Sequence, residues 1–168
     1  MGKLCKGKSP KKVSEIRILD PACGSGSFLL GAYNYLLKWH LDYYVNLDTT
    51  RLENKKIYKF KGDWALTIQE KKRILTQNIF GVDIDPQAVE VTKLSLLLRV
   101  LEGENKDVIE AQKKLYNERA LPDLDDNIKC GNTLISPDIY DNYELVVNED
   151  QIYRINDYIR LKTHLFKP

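Results

Sequence analysis

The pattern of apolar and polar positions along the chain predicts short strands that alternate with helices. An apolar run at residues 16–20 ends at a glycine-containing turn, and apolar residues then recur at helical spacing from Phe28 to Leu41. Residues 78–84 (NIFGVDI) form a second apolar run of the kind found in buried strands. A third short strand is predicted at residues 128–130, just before Gly131. The pattern therefore favours an α/β protein.

Two local signals predict where further helices begin. Residues 67–70 (TIQE) have the form of a capping box, which predicts a helix that ends at about Gln77. Asp85 followed by Pro86 is typical of a helix start, with Asp as the N-cap and Pro at the first helical position. The helix after Pro86 carries leucines on most of its faces, including Leu94 and Leu98, so we expect it to be well buried.

The rest of the chain is more polar and is divided on composition. Residues 48–64 are expected to be an exposed Lys-rich connection, residues 104–118 a polar helix, residues 143–147 a strand, and a helix is predicted from about Asn148. The predicted organisation has three parts. A basic, irregular lead-in covers residues 1–14, a ligand-binding α/β domain covers residues 15–136, and a strand-helix extension of that domain covers residues 137–168.

The order of elements predicts a parallel sheet with right-handed crossovers, as in Rossmann-like folds. Ligands of such sheets bind beyond the carboxyl ends of the strands. Asp20, Asp83 and Asn132 each come at the end of a predicted strand. We therefore expect these three side chains to meet at one edge of the sheet and to form the binding site.

Composition and charge argue against several classes of protein. The chain has 168 residues, enough for one domain, and its net charge of +2 gives no strong nucleic-acid signature. No apolar run reaches the roughly 18 residues needed to span a bilayer. Cys5, Cys23 and Cys130 are far apart and both histidines are isolated, so no metal site is predicted. These features favour a cytoplasmic protein that has no metal and no membrane partner.

The turn after the first strand indicates the chemistry of the ligand. Gly24 and Gly26 allow a sharp turn and a close approach of the ligand, but Leu29 replaces the third glycine of the dinucleotide fingerprint. The carboxylate of Asp20 at the loop entrance would repel a pyrophosphate. It suits a ligand that carries an ammonium and a sulfonium group. S-adenosylmethionine carries both and has no phosphate.

The later strand ends extend this hypothesis to the rest of that ligand. Asp83 is placed to accept hydrogen bonds from ribose hydroxyls, Ile84 to lie on the adenine face, and Asn132 to contact the adenine edge. Simpler interpretations stay open: the two glycines serve only a tight turn, Asp83 only caps a loop, and Asn132 is an ordinary turn residue.

Two further groups of residues are interpreted without a function. Cys23 is taken as filler in a loop of small residues. Asp123, Asp125 and Asp126 are taken as a solvated acidic loop rather than a metal cluster.

Three segments resemble the cofactor motifs of adenine-N6 DNA methyltransferases, particularly the Eco57I-like and type IIG restriction-modification group. They are residues 20–29 (DPACGSGSFL), 79–89 (IFGVDIDPQAV) and 127–134 (NIKCGNTL). The resemblance implies that the methionine moiety of S-adenosylmethionine is surrounded by four residues of the first motif, Asp20, Ala22, Gly24 and Gly26. It also implies that Asp83 binds the ribose, Ile84 touches the adenine and Asn132 holds the adenine edge.

The chain departs from that family at the motif that performs the chemistry. The family uses an Asn-Pro-Pro-Tyr sequence after the third motif to hold a flipped adenine, but none of the six prolines here is adjacent to another. We therefore assign no catalytic residue. We expect a Rossmann-like methyltransferase sheet that is truncated before the catalytic strand and is inactive alone.

The resemblance also implies a biological setting. The parent protein would methylate double-stranded DNA in a restriction-modification or phage-defence system. Two alternatives stay open, a non-catalytic S-adenosylmethionine-binding or interaction module and a methyltransferase that acts on protein or RNA. The oligomeric state, the DNA recognition sequence and the presence of a nuclease also stay open.

Overall fold

The computed structural model describes residues 5–47, 53, 55–60, 62–103 and 121–134. In these residues a parallel sheet packs against helices, and an antiparallel hairpin is inserted in the first crossover. The helices are α1 (Pro10–Ser14), α2 (Ser27–Leu47), α3 (Ile68–Asn78) and α4 (Pro86–Leu101). The strands are β1 (Ile18–Asp20), β2 (Ile57–Phe60), β3 (Asp63–Leu66), β4 (Ile79–Asp83) and β5 (Ile128–Cys130).

The three strands predicted from the apolar runs lie in one sheet. Their order is β1-β4-β5 and both neighbouring pairs are parallel, with Ile18 opposite Ile79 and Gly81 opposite Ile128. The prediction of a parallel α/β sheet is thus confirmed for the described residues. Because parallel strands end at the same edge, the segments that leave β1, β4 and β5 come together there. We call this edge the carboxyl rim and define it as residues 20–26, 83–85 and 131–134.

Helix α2 covers the sheet with one apolar face, as its spacing predicted. Leu29, Tyr33 and Leu36 follow one another at steps of three or four residues, and all three are essentially inaccessible to solvent. Burying a side chain of this size contributes about 1.5–3 kcal/mol. The helix continues past Leu41, the last position of the predicted helical pattern, as far as Leu47.

Between α2 and α3 the described residues include a hairpin of β2 and β3, so for this part the prediction of an exposed connection at residues 48–64 was wrong. β2 and β3 pair antiparallel, with Ile57 opposite Leu66, and both of these side chains are buried. The many lysines of this segment concealed these inward-facing positions, which are too few to give a clear alternation.

Helix α3 begins at a capped residue, but the expected capping box is only half formed. The Thr67 side chain accepts a hydrogen bond from the Glu70 amide at 3.3 Å. The Glu70 carboxylate, only 1% exposed, instead accepts hydrogen bonds from Lys56 Nζ at 2.6 Å, Arg73 Nη2 at 2.6 Å and the Tyr44 hydroxyl at 2.7 Å. One buried carboxylate thus connects α2, the hairpin and α3.

Helix α4 starts as predicted but is buried on one face only. Asp85 caps it by accepting a hydrogen bond from the Gln87 amide at 2.9 Å. Val89 and Leu96 are buried against the sheet, whereas Leu94 and Leu98 are each 58% exposed in the structure. The expectation that this helix is buried on most faces was therefore wrong, because the described sheet and helices cover only one side of it.

The basic lead-in contains a short helix in the stretch expected to be irregular. Ser9 caps α1, and Val13 of this helix is fully buried. Asn78 at the end of α3 donates hydrogen bonds to the carbonyl oxygens of Val13 and Ile16, at 2.8 and 2.6 Å. This buried amide holds the lead-in against the end of the sheet opposite the carboxyl rim.

Several predicted elements lie outside the described residues. These are the helix at residues 104–118, the strand at residues 143–147 and the helix from about Asn148. The division of the chain into the three predicted domain segments stays a prediction. Among the described helices, none combines the length and the apolar character that crossing a bilayer requires.

Replacing Glu70 with Gln tests the buried carboxylate cluster, because glutamine imitates the protonated acid and removes only the charge. Burial by itself raises the pKa of Glu70, but hydrogen bonds from Arg73, Lys56 and Tyr44 outweigh it and lower the pKa from 4.5 to about 2. We expect Glu70→Gln to reduce the free energy of unfolding at neutral pH by about 3 kcal/mol, as measured by urea denaturation.

The pH dependence follows from the direction of that pKa change. A carboxyl whose pKa is lower in the folded state stabilises the fold above pH 4.5, and this contribution is lost as the pH falls towards 2. The difference between the two proteins should thus shrink below about 1 kcal/mol near pH ~2.5. Glu90→Gln is the matched control, since Glu90 is 72% exposed in its pair with Lys93. Equal stability of Glu70→Gln and the unaltered chain at neutral pH would contradict the assignment.

Candidate functional site

The polar residues that were predicted to end strands do lie on the carboxyl rim. Asp20 is the last residue of β1 and Asp83 the last residue of β4, while Asn132 follows the end of β5 by two positions. Asp83 pairs with Cys130, whereas Asp20 pairs with Gly81, so β4 extends two residues beyond the end of β1. This stagger places Asp83 beside the loop that leaves β1.

The loop at residues 21–26 is shaped by its backbone. Gly24 and Gly26 have φ angles of +52° and +81°, values that residues with a side chain rarely adopt. Within the loop, Ala22 donates its amide to Asp20 Oδ1 at 3.2 Å, and Cys23 donates to the Val82 carbonyl oxygen at 2.9 Å. The loop therefore turns sharply at the end of β1 and stays attached to β4.

Asp83 uses both carboxylate oxygens to organise the rim. Oδ2 accepts a hydrogen bond from the Gly24 amide at 2.7 Å, and Oδ1 accepts one from the Asp85 amide at 3.0 Å. The hydrogen bonds from the amides of Asp85 and Gly24 lower the pKa of Asp83, so the carboxylate is ionised at neutral pH. Each oxygen has two lone pairs and can accept a further hydrogen bond from a ligand.

Cys23 lies within this loop and is buried. Burial, together with the negative charges of Asp83 and Asp20, raises the pKa of its thiol. The thiol is therefore protonated at neutral pH and is a poor nucleophile. Its interpretation as a small filler residue agrees with this environment.

The segment after β5 completes the rim. Asn132 Oδ1 accepts a hydrogen bond from the Leu134 amide at 3.0 Å, which makes Asn132 the first residue of an Asx-type turn. The next residue, Thr133, donates its hydroxyl to the Pro21 carbonyl oxygen at 2.9 Å. Asn132 thus forms a turn, while its role toward a ligand stays a prediction, and the hydrogen bond of Thr133 attaches the β5 segment to the loop after β1.

Apolar side chains lie open to solvent beside these polar groups. Ile84 directly follows Asp83 and is 66% exposed. Phe28 in the first turn of α2 and Leu134 after β5 are also exposed. Such side chains near charged and amide groups suit a ligand that has both a flat apolar part and a polar part.

Sequence reasoning missed two residues that support the loop from below. Gly81 in β4 leaves the space taken by Leu29 and Cys23, since a Cβ there would lie 2.7 Å from Leu29 Cδ1. Thr92 of α4 donates its hydroxyl to the Gly24 carbonyl oxygen at 2.8 Å. A glycine inside an apolar strand is a known sign of close packing and could have been noticed. A single threonine in a helix gives no such sign.

The acidic loop before β5 is held by lysines. Asp125 Oδ1 accepts a hydrogen bond from Lys93 Nζ at 2.7 Å, and Asp123 Oδ1 accepts one from the Asp125 amide at 2.8 Å. Lys129 is 3.4 Å from Asp126. These carboxylates are exposed and take part in ion pairs and a local turn, as expected for a solvated loop.

Comparison with known proteins gives one family and several relatives. The family described as "MmeI, DNA-methyltransferase domain" matches residues 7–155. The chain is 34% identical over 154 residues to the type II restriction enzyme and methyltransferase RM.Eco57I of Escherichia coli, which covers 92% of this chain and 14% of that protein.

Two further relatives have a similar degree of likeness. RM.MjaORFECS2P of Methanocaldococcus jannaschii is 42% identical over 124 residues, 74% of this chain and 9% of that protein. The adenine-specific methyltransferase BrxX of Escherichia coli is 33% identical over 91 residues, 54% of this chain and 6% of that protein. The chain thus spans at most 14% of the length of these three relatives.

Replacing Gly26 with Ala tests how tightly the loop is packed. The φ of +81° disfavours any side chain, and the new Cβ would lie 2.8 Å from Thr92 Cγ2. We expect the free energy of unfolding to fall by about 2–4 kcal/mol, measured by urea denaturation. Gly31→Ala is the matched control because Gly31 lies in α2, where the added methyl meets nothing within 4 Å. That change should stabilise the chain by about 0.5–1 kcal/mol, and equal effects of the two variants would refute the packing argument.

Proposed function

Because the chain belongs to the MmeI DNA-methyltransferase domain family, we propose that it is the S-adenosylmethionine-binding part of an adenine-N6 DNA methyltransferase. The parent protein would act in a restriction-modification or phage-defence system, in the cytoplasm. The observation that carries this proposal is the meeting of Asp20, Asp83 and Asn132 around the Gly24–Gly26 turn at one sheet edge. Two relatives support the same class of enzyme by their names. RM.Eco57I is named a type II restriction enzyme and methyltransferase, and BrxX is named an adenine-specific methyltransferase.

The residues present fit S-adenosylmethionine by their chemistry. The carboxylate groups of Asp20 and Asp83 and the backbone at Ala22, Gly24 and Gly26 suit a cationic ligand whose methionine end enters the turn. The carboxylate of Asp83 keeps lone pairs that can accept hydrogen bonds from the ribose hydroxyls.

The adenine of the cofactor would be held by the two later segments of the rim. Ile84 offers an exposed apolar surface for the flat base. Asn132 offers its Nδ2 amide group to the base edge, while its Oδ1 forms the turn with Leu134. A pyrophosphate-containing dinucleotide would meet the carboxylate of Asp20 and is therefore disfavoured at this rim.

In the proposed reaction this chain would bind and orient the cofactor rather than contact the target base. S-adenosylmethionine, when bound, supplies an electrophilic methyl group. The groups that hold the flipped adenine in such enzymes belong to an Asn-Pro-Pro-Tyr motif, and no two prolines are adjacent in these 168 residues. We propose that other parts of the parent protein contribute that motif and the double-stranded DNA contacts.

Titration calorimetry with S-adenosylmethionine and S-adenosylhomocysteine tests the binding site. We expect both ligands to bind the folded chain. Asp83→Ala should lower their affinity by about 1–3 kcal/mol, because it removes the acceptor for the ribose hydroxyls. Asp85→Ala is the matched control, since Asp85 caps α4 through the Gln87 amide. It should leave the affinity unchanged and reduce stability by about 0.5–2 kcal/mol.

Two results would oppose this assignment. Absence of binding heat with either ligand, while circular dichroism shows a folded chain, would reject the cofactor site. Loss of affinity in Asp85→Ala but not in Asp83→Ala would show that the ribose ligand is misassigned. Binding by this chain without any methylation by its parent protein would favour a non-catalytic cofactor-binding module.

The chain alone should not methylate DNA, even when saturated with cofactor. Positioning of reactants can contribute about 7–11 kcal/mol to catalysis, and the groups that position the target adenine are absent from the sequence. The measurement is transfer of tritium from labelled S-adenosylmethionine to mixed-sequence DNA, with the full-length parent protein as the positive control. Reproducible labelling by the chain alone would mean that other residues perform the reaction.

A further inference from the structure

The loop after β1 is held at a single residue from two sides. The Gly24 amide donates to Asp83 Oδ2 at 2.7 Å, and the Gly24 carbonyl oxygen accepts from Thr92 Oγ1 at 2.8 Å. Asp83 ends β4 and Thr92 lies in the helix that follows. The peptide groups on both sides of Gly24 therefore have fixed orientations, and both are set by the second strand-helix unit.

Thr92 also touches the second glycine of the turn. A Cβ at Gly26 would come within 2.8 Å of Thr92 Cγ2 and 2.9 Å of Thr92 Oγ1. The threonine is fully buried beneath the loop. One small side chain thus supports both glycines of the turn, by a hydrogen bond at Gly24 and by close packing at Gly26.

The hydrogen bond of Thr92 is unusual for a threonine within a helix. Such hydroxyls commonly donate to a carbonyl oxygen three or four residues earlier in the same helix. Thr76 in α3 does this, with its hydroxyl 3.1 Å from the Lys72 carbonyl oxygen. Thr92 instead donates to a loop residue 68 positions earlier in the chain. Its hydroxyl therefore serves the geometry of the loop rather than that of its own helix.

We propose that Thr92 is a positioning residue for the cofactor, holding the Gly24–Gly26 turn in its ligand-binding shape before the ligand arrives. This inference rests on the proposed function of the carboxyl rim. A glycine turn without this support samples many backbone conformations, and ordering it upon binding would cost conformational entropy. The hydroxyl of Thr92 removes part of that cost, so its loss should weaken binding although Thr92 lies beneath the loop.

Two variants of Thr92 separate positioning from simple packing. Thr92→Val keeps the shape but loses the hydroxyl, and Thr92→Ser keeps the hydroxyl but loses the buried methyl. In calorimetry with S-adenosylhomocysteine, we expect Thr92→Val to bind about tenfold more weakly, the loss typical of one hydrogen bond. Thr92→Ser should bind within about threefold of the unaltered chain. Thr76→Val is the matched control and should bind unchanged.

Thermal unfolding of the same proteins shows whether lost stability accounts for lost affinity. Thr92→Ser leaves a small cavity, and Thr92→Val leaves the Gly24 carbonyl oxygen without its donor, so we expect both to unfold at a lower temperature than the unaltered chain. A residue with a merely structural role would change affinity in parallel with stability. A loss of affinity in Thr92→Val that is not matched in Thr92→Ser, although both variants are destabilised, would support the positioning role.

Each remaining outcome has a defined meaning. If the unaltered chain binds and folded Thr92→Val binds equally well, Thr92 is not a positioning residue and only this inference fails. If the unaltered chain binds neither S-adenosylmethionine nor its demethylated product, the proposed function fails first. If Thr92→Val does not fold, Thr92→Ser is compared with Thr92→Ala. Equal affinity of those two variants would then overturn the inference, because only the serine retains the hydroxyl.

Discussion

The hydrogen bond between the Gly24 amide and the Asp83 carboxylate is the contact on which the carboxyl rim depends. It joins the loop after β1 to the end of β4, two segments separated by 59 positions in the chain. Asp83 can reach the loop because β4 extends beyond β1 by two residues in the parallel register. The same carboxylate holds the Asp85 amide, so it sets the shape of the loop and of the turn into α4 together. A shift in the register of β4 against β1 would therefore separate Asp83 from the Gly24 amide and disrupt the candidate site, even with every residue of the site unchanged.

Much of this arrangement could be predicted from short stretches of sequence. Thr67 and Asp85 were expected to cap helices and do so, because a cap depends on a side chain and amides only two or three residues away. The parallel arrangement of the strands and the placement of Asp20 and Asp83 at one edge also followed from local patterns, since parallel strands share one direction. The prediction that distant residues meet at the rim thus depended only on a correct direction for each strand.

Several of the features that sequence reasoning missed depend on contacts between distant segments. Glu70 was expected to complete a capping box, but its carboxylate pairs with Lys56 and Arg73, and no local rule reveals that the hairpin brings Lys56 near. Leu94 and Leu98 were expected to be buried because they are apolar, yet only the position of neighbouring elements decides which face of α4 is covered. Thr92 could not be recognised for the same reason, since its partner lies in another strand-helix unit.

Two carboxylates of the structure are held by different kinds of partner, and this difference matters for binding. The buried carboxylate of Glu70 is neutralised by Lys56 and Arg73, so its charge serves stability and cannot attract a ligand. At the carboxyl rim, the carboxylate of Asp83 is stabilised by backbone amides, which carry no net charge. Its negative charge is therefore preserved and remains able to act on a cation. A cationic ligand is favoured where an anion is held by amides rather than by lysine or arginine, and that condition is met at the loop of Gly24 and Gly26.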